Sequence, residues 1–411
     1  MTQNNSKFSR RKFAAYSRNF LLGSIACNPV KQLLAQTSPG DRHIAINKME
    51  VLVVGVSQRT NWIIVRLTAS NGITGLGEAS LGRRTELQEL NDFFAMVEGQ
   101  SPFDIQKYRE RALGTAVSNN RPLATAFSSI EQALWDIVSK TLDTPLYNLF
   151  GGKLRNTLPV YANINRATSP RTPQGFAEAA SQAVADGFNA IKAAPFDGFP
   201  DLSSESREIT AARELGVESV FAIREAVGES VAVKIDAHSY FDVQLAIEVA
   251  NELEPANLSW YEEPVAPTLL EETKIIHDRI NQPLAGGEFL FGLEGFGPLC
   301  VNQAVDIIMP DVKHCGGLLE GLKISTLAES FDIKVSPHNP SGPISTGVSS
   351  VLCAVIPNFD SLEYQWGEAD WRSDLVEPAE IFNNGNMAVS NLPGMGITLN
   401  EDVLAARRIA I

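Results

Sequence analysis

The sequence predicts an α/β protein, in which a barrel of alternating strands and helices follows a smaller α+β unit. Two observations predict the barrel. Short apolar segments rich in β-branched residues recur after Gly151-Gly152, and a stretch with helical periodicity follows them. Polar residues end most of these segments, at the rim where barrel enzymes carry their active sites. A doubly wound open sheet is the structural alternative, but the chain lacks the glycine-rich nucleotide-binding motifs typical of that fold.

The first unit is predicted over residues 41–155. Its strand-like runs are apolar and β-branched, and Asn71-Gly72 is a pair typical of hairpin turns. Later segments of the unit place apolar residues at helical spacing. The predicted elements are strands at Met49–Val56 and Trp62–Leu67 and helices at Thr85–Glu98 and Ala124–Lys140.

The barrel is predicted over residues 156–370. Eight strand-and-helix units argue for a closed parallel sheet. The remaining segment, 371–411, is rich in Gly, Pro and Asn and is expected to pack back on the first unit. The strands are predicted at Leu158–Ile164, Asn189–Ala193, Val231–Asp236, Leu258–Glu262, Pro283–Glu288, Val305–Asp311, Asp332–His338 and Phe359–Tyr364.

Composition and charge exclude several classes of protein. The chain has 411 residues, of which 44% are hydrophobic, and this is enough for a large core and two domains. A net charge of −14 argues against a nucleic-acid partner. No apolar run reaches the length of a membrane span. The cysteines form no CxxC pair, so a disulfide framework is not expected.

The amino-terminal segment, residues 1–40, contains lysines and arginines but no acidic residue. Ser9-Arg10-Arg11-Lys12-Phe13 precedes a mildly apolar stretch, and this pattern resembles a twin-arginine export signal with cleavage near Ala35. We therefore expect a periplasmic or exported protein. A basic tail on a cytoplasmic protein is the alternative, and a lipid-attachment site at Cys27 is a weaker one.

Six ionisable residues end successive predicted strands at intervals of 23 to 27 residues, roughly one strand-and-helix unit. They should therefore meet at one rim of the barrel. Three of them are carboxylates on adjacent strands, which would repel one another without a cation, and oxygen ligands favour Mg²⁺ or Mn²⁺ over zinc. The six residues are Asp236, Glu262, Glu288, Asp311, His338 and Glu363, and the first three are the predicted metal ligands.

Two histidines are candidates for acid–base catalysis. Asp311 ends the strand beside that of His338, so its carboxylate can fix the tautomer of the imidazole and raise its basicity. His238 lies two residues beyond Asp236 and therefore faces the same site from the other side of the barrel. One imidazole can then take a proton while the other gives one. An extra metal ligand or a surface position is the alternative for His238.

Four further residues complete the predicted site. Lys192, at the end of the second barrel strand, is expected to contact the substrate carboxylate or an enolate oxygen, although a surface lysine is the alternative. His314 is expected to contact the substrate or to support the Asp311 pair, with a structural role as the alternative. Arg83 and Asn163 are also predicted to bind the substrate.

Several motifs in a fixed order make the chain similar to the enolase superfamily, in its mandelate racemase-like branch, over about residues 45 to 400. The resemblance implies an α+β capping domain over a modified (β/α)7β TIM barrel, with Mg²⁺ as cofactor, and it suggests a homo-oligomer. The motifs are ALWDIVSKTLDTPLYNLFGG at 133–152, WYEEP at 260–264, GGE at 286–288, MPDVKHCGG at 309–317 and SPHNPSGPI at 336–344.

The resemblance also assigns roles within the site. It implies that His338 with Asp311 is the general base and that Glu363 is the acid that hydrogen-bonds the developing enolate. The sequence Asp-Ala-His at 236–238 looks like that of acid-sugar dehydratases of the galactonate and mannonate type, in which this histidine is the general acid. Cap loops near Gly55–Asn61 and Gly82–Arg84 would then close over the substrate.

One departure from the family narrows the reaction. Many relatives carry Lys-x-Lys after the second barrel strand, and Ala194 replaces the second lysine here. This favours one-base dehydration of a sugar acid over racemisation. A cycloisomerase or epimerase on the same scaffold is the first alternative, and an exported binder of sugar acids without activity is the second. A metal-dependent hydrolase is disfavoured because the histidine-rich zinc spacing is missing.

Overall fold

The computed structural model describes residues 44–85, 87–115 and 120–410. The predicted export signal lies outside these described residues. None of the helices within them combines the length and the apolar character that crossing a bilayer requires. The structure describes one chain, so the expected homo-oligomer stays a prediction.

The amino-terminal unit is an antiparallel sheet covered by helices. Strand β3 runs so close to the longest helix of this unit that a Cβ at Gly77 would lie 2.0 Å from the carbonyl oxygen of Ser129. The predicted helix Thr85–Glu98 is shorter in the structure. The elements are β1 (Ile46–Gly55), β2 (Asn61–Ala69), β3 (Thr74–Glu78), α1 (Gln88–Phe94), α2 (Ile105–Ala112) and α3 (Arg121–Thr141).

The second unit is a closed parallel sheet surrounded by helices. Its strands are β4 (Thr157–Asn163), β5 (Ala190–Ala193), β6 (Ala232–Asp236), β7 (Trp260–Glu262), β8 (Leu284–Gly286), β9 (Ile307–Ile308), β10 (Lys334–Val335) and β11 (Leu362–Gln365). Neighbours in sequence are neighbours in the sheet from β4 to β10, and β11 pairs with β4. A parallel bridge between Val335 and Phe359 completes the circle.

A helix follows each barrel strand except the last. These helices are α4 (Pro173–Ala185), α5 (Ser206–Val227), α6 (Val243–Glu252), α7 (Leu270–His277), α8 (Gly292–Val301), α9 (Gly317–Glu329) and α10 (Pro343–Val355). The (β/α)7β barrel with an α+β cap is therefore confirmed in the described part of the chain. Apolar side chains from the strands and from the inner helix faces form its core.

Buried carboxylates of the cap hold the barrel helices that follow the predicted base residues. Glu78 accepts hydrogen bonds from the backbone N–H groups of Gly342 and Ser345 at 2.7 and 2.8 Å, at the start of α10. Glu131 accepts from Leu318 and its neighbour in α9 at 2.9 and 3.1 Å. Because helix amino termini attract negative charge, both contacts fix the cap against the rim of the barrel.

The carboxy-terminal segment contacts both units. Its strands are β12 (Val376–Glu377), β13 (Phe382–Asn383), β14 (Asn386–Ala388) and β15 (Thr398–Leu399), and it ends in α11 (Glu401–Arg407). Strand β14 pairs antiparallel with β4 of the barrel. The N–H of Ile409 donates to the carbonyl of Val53 in the cap at 2.9 Å.

Candidate active site

A buried lysine and three carboxylates form the floor of the site. Lys192 Nζ lies 2.8 Å from Glu262, 3.1 Å from Glu363 and 3.7 Å from Asp236. Burial by itself lowers the pKa of Lys192, but Glu262 and Glu363 outweigh it and raise the pKa well above the usual value. The lysine is therefore charged and joins three strands of the barrel.

The two glutamates of this floor, Glu262 and Glu363, accept hydrogen bonds from other donors besides Lys192. Glu262 also accepts from the indole N–H of Trp260 at 2.9 Å, and burial together with the charge of Asp236 raises its pKa to about 8. Glu363 accepts from the side-chain amide of Asn163 at 2.6 Å and from the backbone N–H of Asn339 at 2.7 Å. The structure thus places Asn163 beside Glu363, at the cavity wall.

Asp236, His238 and Glu288 offer donor atoms that all lie within 4.8 Å of one another, and this is the candidate metal group of the described residues. Two of the predicted ligands belong to it, whereas Glu262 points to Lys192 and Trp260 instead. Burial and the neighbouring charges of Glu263 and Asp236 raise the pKa of Glu288 well above its usual value. This surplus of buried negative charge and the oxygen donors fit a hard divalent cation.

The predicted general base has the expected partner. His338 Nδ1 lies 2.8 Å from Asp311 Oδ2, and its Nε2 lies 3.1 Å from Glu288 Oε2. Asp311 also contacts Lys313 Nζ at 3.1 Å. Burial lowers the pKa of His338 below its usual value, despite the hydrogen bond to Asp311. This imidazole is therefore neutral at neutral pH, as a general base must be.

His238 presents a second imidazole from the β6 side. Its Nε2 lies 2.9 Å from Asp236 Oδ2, and its Nδ1 is hydrogen-bonded to Asp197. The backbone N–H of His238 donates to Asp236 Oδ1 at 2.8 Å, and its φ of +45° lies in the left-handed region. Burial lowers the pKa of His238, but Asp236 and Asp197 outweigh it and raise the pKa to about 12.

His314 lies between the cap and the predicted base. Its Nδ1 is 3.2 Å from the Thr125 hydroxyl of α3, and its Nε2 is 3.8 Å from Asp311. The ring of Phe289 lies 5.2 Å from that of His314 and 5.7 Å from that of His338. Burial lowers the pKa of His314 to about 3, so it is neutral. It also lines the cavity described next.

A cavity of about 290 Å³ connects these groups. Lys192, His238, His314 and His338 line it together with the cap loops. Of the described arginines, Arg59 and Arg166 belong to the lining, whereas Arg83 is exposed and donates to the carbonyl of Gln58 at 3.2 Å. The assignment of Arg83 to substrate binding therefore stays a prediction without a contact to the cavity.

Three residues that line the cavity or contact predicted site residues were not predicted from the sequence. Lys313 lies within the MPDVKHCGG motif, and its contact with Asp311 required knowledge of the turn after β9. Arg166 lines the cavity and is paired with Glu368 at 2.7 Å. Asp197 follows β5 by four residues, so an acid just beyond a strand end was the available signal. The periodic spacing did not include it, because the other rim residues lie closer to their strands.

The fold and this site together define an enzyme of the enolase class. Residues 43–151 match the model for the mandelate racemase / muconate lactonizing enzyme N-terminal domain, and residues 175–403 match the enolase C-terminal domain-like model. The chain belongs to this family of the enolase superfamily, as the sequence motifs indicated.

Similar proteins agree with this assignment. The D-xylonate dehydratase of Haloferax volcanii is 35% identical over 361 residues, which cover 85% of each chain. The D-gluconate dehydratase of Thermoproteus tenax is 33% identical and covers 84% of this chain and 69% of its own. A member of the enolase superfamily from Salmonella Typhimurium superimposes with a TM-score of 0.81 at 27% identity, over 90% of this chain and 99% of its own. The predicted enzyme class, a hydro-lyase of this superfamily, is confirmed by the dehydratases.

Proposed function

We propose that this chain is a Mg²⁺-dependent dehydratase of a sugar acid, with Mn²⁺ as a possible substitute, and that its product is a 2-keto-3-deoxy acid. One observation supports the reaction above all others. His338 and His238 both line the cavity, and each has Nδ1 bound to an aspartate and Nε2 directed to a carboxylate of the candidate metal group. A base with a lowered pKa and an acid with a raised pKa thus face one cavity.

The elimination uses these two imidazoles in turn. Nε2 of His338 takes the proton from C2, beside the substrate carboxylate. As the C3–O bond breaks, Nε2 of His238 gives a proton to the departing hydroxyl, which leaves as water, and the electron pair of the C2–H bond ends in a C2=C3 double bond. The resulting enol then tautomerises to the 2-keto-3-deoxy acid.

Charge on the substrate carboxylate grows as C2 loses its proton. Lys192, charged and buried between three strands, supplies a fixed positive group on this side of the cavity. Glu363 is held by Asn163, Asn339 and Lys192, so its position is set before the substrate binds. Burial raises the pKa of Glu363, but Lys192, His338 and the two hydrogen bonds outweigh it and lower the pKa, so this carboxylate is ionised. The fixed positive charge of Lys192 is therefore the preorganised group that stabilises the developing negative charge.

Asp236 and Glu288 of the candidate metal group would hold the cation, and Glu262, the third predicted ligand, would join them by turning away from Lys192 and Trp260. A bound Mg²⁺ would act as a Lewis acid on the substrate carboxylate. Calorimetric titration of the chelator-treated protein with Mg²⁺ should show a site that Glu288→Gln weakens at least about tenfold. Equal Mg²⁺ binding by the variant would contradict this ligand assignment, whatever the activity.

The relatives and the departure at Ala194 support dehydration over racemisation. The similar curated proteins are named dehydratases of xylonate and gluconate. Ala194 is buried directly after β5, at the position where many relatives have a second lysine. A base on the opposite face of C2, which a two-base racemase needs, is therefore missing at this position.

The test is a screen of the purified full chain with Mg²⁺ against aldonic acids of five and six carbons, including xylonate, gluconate and galactonate. We expect a 2-keto-3-deoxy acid from at least one, detected by its semicarbazide adduct and by mass loss of one water. An epimerised or cyclised product of unchanged mass would show an isomerase instead. Binding without conversion would show a non-catalytic binder.

We also propose export through the twin-arginine route, on the strength of Arg10-Arg11 and the acid-free segment around them. A full chain expressed in a bacterial host should reach the periplasm. The paired variant Arg10→Lys and Arg11→Lys should remain in the cytoplasm. Equal distribution of both proteins between the two compartments would contradict the proposal.

A further inference from the structure

We infer that Asp197 is a positioning residue for His238, and that it orients this imidazole as the acid of the reaction just as Asp311 orients His338 as the base. The inference rests on the proposed dehydration and adds a residue to it. Asp197 lies after β5, outside the run of rim residues that the strand spacing predicts. The pair joins the loop after β5 to the loop after β6, so two neighbouring strands build the acid side of the cavity.

The contacts of Asp197 fix the direction of its carboxylate. Oδ1 is hydrogen-bonded to Nδ1 of His238. Oδ2 accepts from the side-chain amide of Asn165 at 2.9 Å and lies 3.2 Å from Nη2 of Arg171. Arg171 in turn donates to Oδ1 of Asn165 at 2.7 Å. One oxygen is therefore occupied by two donors, and the other is left to receive a hydrogen from His238.

This arrangement dictates where the proton for the leaving group sits. A carboxylate oxygen only accepts, so Nδ1 of His238 must carry a hydrogen. Nε2 is then the nitrogen that faces Asp236 and the cavity. It delivers its proton to the C3 oxygen and leaves His238 neutral, with Nδ1–H still bound to Asp197. The His238 side chain is 33% exposed, so Nε2 can recover a proton from water after turnover.

His238 has an alternative role as a metal ligand, which the experiment must distinguish from its role as the acid. Its ring nitrogen lies in the same group of donor atoms as Asp236 and Glu288, so His238 could instead be a metal ligand. Asp197 would then support metal binding, as carboxylates behind ligating histidines do. The two readings predict different behaviour for an Asp197 variant, because only the ligand reading makes Mg²⁺ affinity depend on it.

The variant Asp197→Asn provides the test. Because Asn165 and Arg171 are donors, the amide oxygen of the new side chain should face them and its NH₂ should face Nδ1 of His238. That geometry opposes an imidazole with hydrogens on both nitrogens. We expect kcat for the best sugar acid of the screen to fall by about 10²-fold or more while KM and Mg²⁺ affinity change little. Asp201→Asn, in the same loop but exposed, is the matched control and should behave as wild type.

Two readouts separate positioning of the acid from general damage. The 3-deoxy-3-fluoro analogue loses fluoride, which needs no proton, so Asp197→Asn should process it within about threefold of wild type. Exchange of the C2 hydrogen in D₂O, the work of His338, should also persist. The double variant Asp197→Asn with His238→Asn should lose no more activity than His238→Asn alone, as expected of residues acting as one unit.

The outcomes distinguish the two proposals. Equal loss on the hydroxy and fluoro substrates, or Mg²⁺ affinity weakened at least about tenfold, would overturn the role of Asp197 as positioning residue for the acid. Wild-type protein that dehydrates none of the sugar acids would overturn the proposed function instead, because that result does not involve Asp197 at all.

Discussion

The two imidazole–aspartate pairs of the site are alike in composition, but the pKa values of their histidines are shifted in opposite directions. The His338 side chain is 7% exposed and the His238 side chain is 33% exposed. Burial dominates for His338, and the charge of Lys192 also lowers its pKa. Burial also lowers the pKa of His238, but the charges of Asp236 and Glu288 and the hydrogen bond to Asp197 outweigh it and raise the pKa to about 12. The same two residue types therefore make a base on one side and an acid on the other, according to burial and the sign of the surrounding charge.

The largest expected effect comes from the base side. His338→Asn removes the group that takes the C2 proton, so we expect dehydration to fall by about 10⁴-fold. Exchange of the C2 hydrogen in D₂O should disappear together with dehydration, unlike in variants of the acid side. His277→Asn, on helix α7 and outside the cavity, is the control. Persistent exchange in His338→Asn would show that another group abstracts the proton.

Replacement of Asp311, the partner of the base, should lower kcat less than replacement of His338 itself. Asp311→Asn leaves the imidazole of His338 in place but removes the acceptor that fixes its tautomer, and we expect kcat to fall by about 10³-fold. Steady-state kinetics and C2 exchange should decline to the same extent. A variant that lost dehydration but kept full exchange of the C2 hydrogen would show that Asp311 supports the acid. That result would contradict its assignment as the partner of the base.

The pH dependence tests the difference in protonation directly. A base works in its neutral form, and burial lowers the pKa of His338 below its usual value of 6.5. Activity should therefore be constant as pH falls to 6.5 and should decline only below it, about tenfold per unit once His338 is protonated. The measurement is kcat/KM against pH at saturating Mg²⁺. A decline that begins well above pH 6.5 would show a base whose pKa is not lowered.

The smallest effect on catalysis is expected in the cap. Glu131 is buried, accepts from the N–H groups at the start of α9 and does not line the cavity. Glu131→Gln should lower the free energy of unfolding by about 1–3 kcal/mol, because a buried acceptor is partly lost. Activity at 25 °C should stay within about threefold of wild type. A large loss of kcat at an unchanged free energy of unfolding would mean that the cap directly positions the two imidazole–aspartate pairs.

Much of the fold and part of the site could be predicted from the sequence. A parallel barrel followed from repeated strand and helix periodicity, since each unit buries its own apolar face, and its (β/α)7β form with a cap followed from the family resemblance. The contact of Asp311 with His338 followed from neighbouring strand ends, and the structure has it at 2.8 Å. The helix predicted at Thr85–Glu98 is only Gln88–Phe94 in the structure, because periodicity does not locate helix ends well. Arg83 was expected at the cavity, where the structure has Arg59 instead.

The sequence by itself determined which ionisable residues stand at the barrel rim, because backbone pairing in a parallel sheet brings strand ends to one level. Apart from the pair of Asp311 and His338, only the tertiary structure decided how they pair. Glu262 turns to Lys192 and Trp260, and Asp197 reaches His238 from a loop whose path no periodicity encodes. The opposite pKa shifts of the two histidines also depend on the fold. Burial and the distance to each charge set a pKa, and both exist only once the chain has closed around the site.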